Sequence, residues 1–376
     1  SVADSRLIYV TQEGTRQKDG TSWDNAFDSI QAAVDAAGTE AAVIFLLQGD
    51  YTLSAELSIG EGANLAFVGG CTGAGAEVGT EKSALIRDTS VASMRLVNIT
   101  GATVSFSDMV VRGGRLNPAS SYGHGVNSAN STLAFTRCAF DDNGVSAGQG
   151  NGHYGGGLAA NGGSVKLVDC AFTKNVLNYN AGQIEQMGAG IWAKNVALEA
   201  AGCLFATNYI YVQHYGGMGG AIYANGGSVL ITNCIFNGNY GSHGRTYGAQ
   251  APRGMYGGAI YLDAVPTTKI VDSSFDGNYV NNLRGGITEY SGGTIYIAGG
   301  KVTVERCKVL RGGWWNGSRT EGGVKYDSGA ITLASGDVTV ANTLIADGHA
   351  YAFEVSGGTL SIDRSTLVGN DMAAIL

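Results

Sequence analysis

Short runs in which apolar and polar residues alternate at period two recur along most of the chain, and glycine-rich turns separate them. A representative unit carries one short strand, the turn Asn225-Gly226-Gly227-Ser228, and a second alternating strand at Val229 to Thr232. Such spacing predicts β-strands with one inward face. The pattern becomes helical only near the N-terminus, where Phe27, Ile30, Val34 and Ala37 share one face, Asp24 or Asn25 is placed to cap, and Gly38 ends the segment.

The strands belong to a repeat. Five segments read Phe-x-x-Asn, from Phe140, Phe172, Phe205, Phe236 and Phe275 to Asn143, Asn175, Asn208, Asn239 and Asn278. Four of the phenylalanines follow a cysteine by two residues (Cys138, Cys170, Cys203, Cys234); Ser273 holds that place in the fifth, and the phase continues through Cys307, Thr343 and Ser365. A Gly-Gly-Ala-Ile element or a near variant precedes each later unit, at Gly188 to Ile191, Gly219 to Ile222, Gly257 to Ile260, Gly292 to Ile295 and Ser328 to Ile331. One unit cannot bury its own apolar face. Stacking each strand in parallel on its equivalent in the next unit can, and it aligns identical side chains about 4.8 Å apart. The fold class is therefore all-β, a single-stranded right-handed parallel β-helix with an N-terminal capping helix. Residues 1–42 form the first strand and helix, and residues 43–376 the solenoid.

Successive phenylalanines lie 32, 33, 31 and 39 residues apart, whereas Ile345 and Leu367, in the last two coils, are 22 apart. The extra residues all enter between the repeat asparagine and the next Gly-Gly, so one edge of the stack should carry every long loop. At the other end the chain stops at Leu376 without a comparable cap, and further residues or a partner are expected to cover it.

Composition sharpens this picture. Sixty glycines against three prolines, with 14% charged residues, fit many tight corners and few helices. The formal net charge of −8 opposes a general nucleic-acid role, and no apolar run is long enough to span a bilayer. Five of the six cysteines share one interior position, so reduced, buried thiols acting as small apolar fillers are expected rather than disulfides; Cys71 has no repeat equivalent.

The loop edge is rich in aromatic residues. Trp314, Trp315, Tyr211, Tyr215, Tyr247, Tyr256, Tyr290 and Tyr326 are the candidate ligand-binding residues, while Tyr209, Tyr240 and Tyr279, directly after the repeat asparagine, should stack at the loop roots. His124, His153, His214 and His243 join them. Charges there are mixed, with Arg115, Arg245, Arg253, Arg284, Arg319 and Lys325 against Glu185, Glu289, Glu321 and Asp327.

The Gly-Gly-Ala-Ile and Phe-x-x-Asn pair, running over roughly residues 138 to 300, resembles the repeats of chlamydial polymorphic membrane proteins and related bacterial surface adhesins. The wider chain resembles the pectin-lyase-like β-helix superfamily, and its opening, Ile8-Tyr9-Val10 followed by Gly20 to Ala26 and Leu47 to Tyr51, is similar to that of many secreted β-helix proteins. That superfamily includes adhesins, polysaccharide lyases and glycoside hydrolases, so the resemblance implies a fold more than an activity.

An inverting hydrolase would need a carboxylate pair, yet Gly123-His124-Gly125 precedes Asp141-Asp142, and Asp141-Asp142 belongs to a structural repeat. A lyase would need a base and a clamp for the substrate carboxylate; Lys325 with Arg319 and Glu321, or His243 with Arg245 and Arg253, are the candidates. No compact acidic cluster offers a calcium site, so no cofactor is expected. The sequence supports first a secreted or cell-surface protein, adhesin-like, that binds a glycan or other extracellular ligand along the loop edge without inserting into a membrane. A polysaccharide lyase or glycoside hydrolase on the same edge is the alternative, and a structural stalk the third reading.

Overall fold

A computed structural model describes residues 5–117, 121–148, 152–179, 185–212, 216–243, 254–282, 292–315, 329–349, 351–371 and 374–376. The chain winds as a right-handed parallel β-helix. One coil runs through Ile191–Lys194 and Ala197–Ala201, which lie in a long sheet, and then Leu204–Ala206, which lies in a second sheet; each strand pairs in parallel and in register with its equivalent one coil on.

Two corners per coil explain the repeat spacing. The residue before the cysteine position has left-handed backbone, as at Asp169, Asn233 and Asp272 (φ 51 to 52°), and so does the residue before the asparagine, as at Asp142 and Lys174 (φ 51 and 53°). Asp and Asn tolerate this region better than most residues, which is why they recur there. Between the corners the phenylalanine points inward. The rings of Phe140, Phe172, Phe205, Phe236 and Phe275 form a continuous stack with centroids 4.3 to 5.2 Å apart.

The asparagines form a second ladder, fully buried. Asn175 Nδ2 donates to Asn208 Oδ1 at 2.8 Å and to the Phe140 carbonyl at 2.9 Å, and the Asn175 backbone N–H donates to the same Asn208 Oδ1 at 3.2 Å. Asn208 and Asn239 repeat the pattern towards Asn278. Every amide in the row thus satisfies a backbone group at a corner where no sheet partner exists. All six cysteines are free and buried.

The helix spans Ile30–Ala37 and buries Ile30, Ala33, Val34 and Ala37 against the first coils. Its cap is Ser29, whose Oγ accepts from the Ala32 N–H at 3.3 Å, and not Asp24 or Asn25. Trp23–Asn25 is instead a separate 3₁₀ turn, because Phe27 pairs its backbone with Tyr9 and Thr11 and leaves the helix to begin later. The strand Arg6–Val10 pairs in parallel with Ala41–Leu47, which makes it the outermost rung of the long sheet.

Candidate functional site

The long insertions leave the stack as ordered strands. After the repeat asparagines Asn143 to Asn278 a strand such as Tyr209–Val212 runs outward, and before Gly123, Gly155, Gly188, Gly219 and Gly257 a two-residue strand such as Gly217–Met218 returns. The outgoing strands form a six-stranded sheet and the returning ones a five-stranded sheet. Leu177, Ala189, Ile210, Val212, Met255 and Val280 pack as a second small core. The two sheets and this core make a fin along one edge of the solenoid. Re-entry requires glycine: Gly188 has φ 63°, and a Cβ there would sit 2.0 Å from the Ile191 carbonyl oxygen.

Because the fin covers part of the long sheet, strands beside it depart from simple alternation. Ile222, Tyr223 and Ala224 are buried at three successive positions. The outward members of this column, Trp192, Tyr223 and Tyr261 with Tyr296 beyond them, pack against the returning strands. Tyr223 Oη donates to Asp263 Oδ2 at 2.9 Å, and Asn225 Nδ2 donates to the same oxygen at 2.8 Å. Burial pushes the Tyr223 and Tyr261 hydroxyls above the ordinary phenol range, so both are neutral donors at physiological pH.

The outer face of the returning strands presents Tyr122, Tyr154, Met187, Met218 and Tyr256 in register. At about 4.8 Å per coil this row is roughly 19 Å long. Tyr122 is 38% exposed and the other four are half-buried. Tyr122 and Tyr154 stack at 4.7 Å, and Tyr256 meets Tyr296 and Tyr261 at an angle.

Of the sequence candidates, Tyr256 lies in this row, and Tyr211 is half-buried on an outgoing strand. Trp314 and Trp315 belong to the outgoing strand Gly313–Trp315 and not to a loop; their backbone is in register with Val280 and Asn281. Their side chains, and that of His243 at the end of Tyr240–His243, lie outside the described residues, as do Tyr215, Tyr247, Tyr290, Tyr326, Arg245, Arg253, Arg319, Glu321 and Lys325 altogether. Tyr209, Tyr240 and Tyr279 do stack, with centroids 4.8 and 5.2 Å apart and rings within 5° of parallel, so the ladder uses its own ring faces. Residues that sequence reasoning missed had a signal: Trp192, Tyr223, Tyr261 and Tyr296 directly follow the repeat isoleucine, and Met187 and Met218, like the candidate Tyr256, directly precede the repeat glycine.

Among the described residues, no group of three or more His, Cys, Asp or Glu side chains could hold a metal ion, and no helix is long and apolar enough to cross a membrane. A cleft of about 450 Å³ lies at the N-terminal end beside Asp28, Gln31, Asp50 and Glu56, away from the fin.

No protein-family model matches the chain, and no curated protein sequence matches it. Among solved structures it is similar to a rhamnogalacturonan lyase, with 13% identity and a TM-score of 0.50 over 98% of this chain and 88% of that one. It is also similar to the pectate lyase Pel9A (14% identity, TM-score 0.46, 100% and 80% covered) and to PfbA, a surface adhesin of Streptococcus pneumoniae (10%, 0.38, 92% and 88%). The likeness to the rhamnogalacturonan lyase is one of fold, a parallel β-helix.

Proposed function

We propose that this chain is an extracellular or cell-surface β-helix that binds a glycan laid along the outer row of the fin. The observation that carries this reading is the row itself: Tyr122, Tyr154, Met187, Met218 and Tyr256, half-exposed and continuous over five coils, backed by a fixed layer of Trp192, Tyr223, Tyr261 and Tyr296. Aromatic rings suit the apolar faces of sugars, and tyrosine hydroxyls at their rim suit sugar hydroxyls. Held by the strands behind them, these rings lose little conformational freedom on binding.

The test is a glycan-array screen of the purified chain followed by calorimetry on each hit, with Tyr154→Ala and Tyr256→Ala beside the parent. Each substitution is expected to weaken binding about tenfold or more, in keeping with aromatic anchors worth upward of 1 kcal/mol. Binding that ignores both substitutions, or no glycan bound at all, would sink the reading. Hits that gain unsaturated or reducing ends on incubation would replace it with an enzymatic one.

A further inference from the structure

The fin interior changes character along its length. Its middle and far part is apolar, around Ile210, Val212, Met255 and Val280, but its first part buries Ser121, His124, His153 and Gln186, none of them more than 7% exposed. The imidazole rings of His124 and His153 lie 5.2 Å apart. His124 Nδ1 accepts from the Leu116 backbone N–H at 2.9 Å, which places the proton of the neutral ring on Nε2. That Nε2, and both amide atoms of the adjoining Gln186, are buried without a hydrogen-bond partner. A metal at Nε2 is ruled out by this tautomer, since the lone pair it would need is occupied by the proton.

The charges facing the pair are unfavourable to a third cation. Arg95 donates to the Tyr122 and Gly123 carbonyls and pairs with Glu56 at 3.0 Å. Arg115 donates to the Gly144 carbonyl and pairs with Asp142 at 3.1 Å. Glu185 precedes Gln186 on the neighbouring strand, and Tyr122 and Tyr154 alternate with Ser121 and His153. Both carboxylates nearest the arginines are thus already engaged, and a proton added at His124 Nδ1 would also break the bond from Leu116.

We propose that the first part of the fin is an acid-sensitive latch: proton uptake by His124 and His153 releases the strands Ser121–Tyr122 and His153–Tyr154, and with them the leading end of the outer row. His153 and Tyr154 are consecutive, so the group that takes the proton and the ring that faces outward move together. Burial holds His153 down at about 4 and His124 well below its ordinary value. An opened strand returns each ring to an ordinary value near 6.5, so the latch is intact above that pH and weakens as pH falls through the window towards 4. Within the window the opened population rises by up to about tenfold per pH unit for each histidine that gains its proton on opening. The proposal holds whatever the row binds.

Hydrogen exchange read by mass spectrometry between pH 7.5 and 4.5, corrected for intrinsic exchange, tests it without any ligand. Segments covering 121–126 and 153–158 are expected to exchange about tenfold faster or more per pH unit below 6.5, while segments covering 260–271 stay protected. A double variant, His124→Gln with His153→Gln, should keep its protection across the range. Equal protection of the wild-type strands at both ends of the range, the same acid loss in the variant, or loss over the whole chain at once would overturn the latch. Should the variant not fold, imidazole NMR of the wild type decides. Two rings that stay neutral to below pH 5 and then shift together with loss of strand protection support it; rings titrating near 6.5 in intact strands refute it.

Discussion

The same coils build two cores by opposite rules. Inside the solenoid, one position keeps phenylalanine from Phe140 to Phe275, and another keeps asparagine from Asn143 to Asn278. In the fin, the equivalent column reads Ser121, His153, Gln186, Gly217 and Met255, a different residue at every coil. The interior is closed on all sides at a fixed spacing, so the residue that fits once fits again. The returning strands of the fin are two residues long, and their neighbours can compensate, as where Gly217 and Gly241 leave space for the Met255 side chain. Repetition marks where backbone geometry dictates the side chain, and variation marks where it does not.

The largest effect should come from breaking the interior rule at its most connected point. Asn208→Leu removes the acceptor of the Asn175 N–H and Nδ2 and the donor to the Phe172 carbonyl, all at buried sites. At about 1–3 kcal/mol for each of the three stranded groups, the loss should be roughly 3–9 kcal/mol, read as a fall in the denaturant midpoint. Phe205→Ala should follow at about 3–5 kcal/mol, since the ring is fully buried between two stacked neighbours. In the fin the rule predicts less. Tyr240→Leu loses two stacking contacts, with Tyr209 and Tyr279, but at a half-exposed position, and should cost only about 1–2 kcal/mol. A loss there equal to that of Phe205→Ala would erase the distinction between the cores.

This difference also explains what the sequence made legible. Cys-x-Phe-x-x-Asn repeats because Asp142 or Lys174 turns the corner and the side chains on either side must point inward, so coils, ladders and the edge carrying the insertions could be read from spacing alone. The helix was visible from Val34 and Ala37, but its start was not: Ser29 is one polar residue among several, and the choice between it and Asp24 depends on Phe27 being bound by Tyr9 and Thr11. The fin was misread as loops because strands of two residues, such as Gln186–Met187, show no periodicity. Its outer row is nonetheless written as a tyrosine or methionine directly before Gly123, Gly155, Gly188, Gly219 and Gly257, a signal that appears only once the register is known.

The smallest effect tests why the thiol ladder exists. If its members only filled space, a valine of similar size would serve at Cys234 as well as the native residue or better. The contacts argue otherwise. Cys234 Sγ accepts from the Cys203 N–H, as Ser273 and Thr343, at the same position in later coils, accept from the Cys234 and Cys307 N–H groups through their hydroxyls at 3.1 and 3.3 Å, and it lies 3.3 Å from the Thr232 carbonyl as a donor. Serine can make both bonds with a small adjustment. Cys234→Ser should therefore stay within about 1 kcal/mol of the parent, whereas Cys234→Val, which strands the buried Cys203 N–H, should lose about 1–3 kcal/mol. The order of the two midpoints carries the result: serine above valine makes the ladder a line of corner hydrogen bonds, and valine above serine makes it the apolar filling that composition alone suggests.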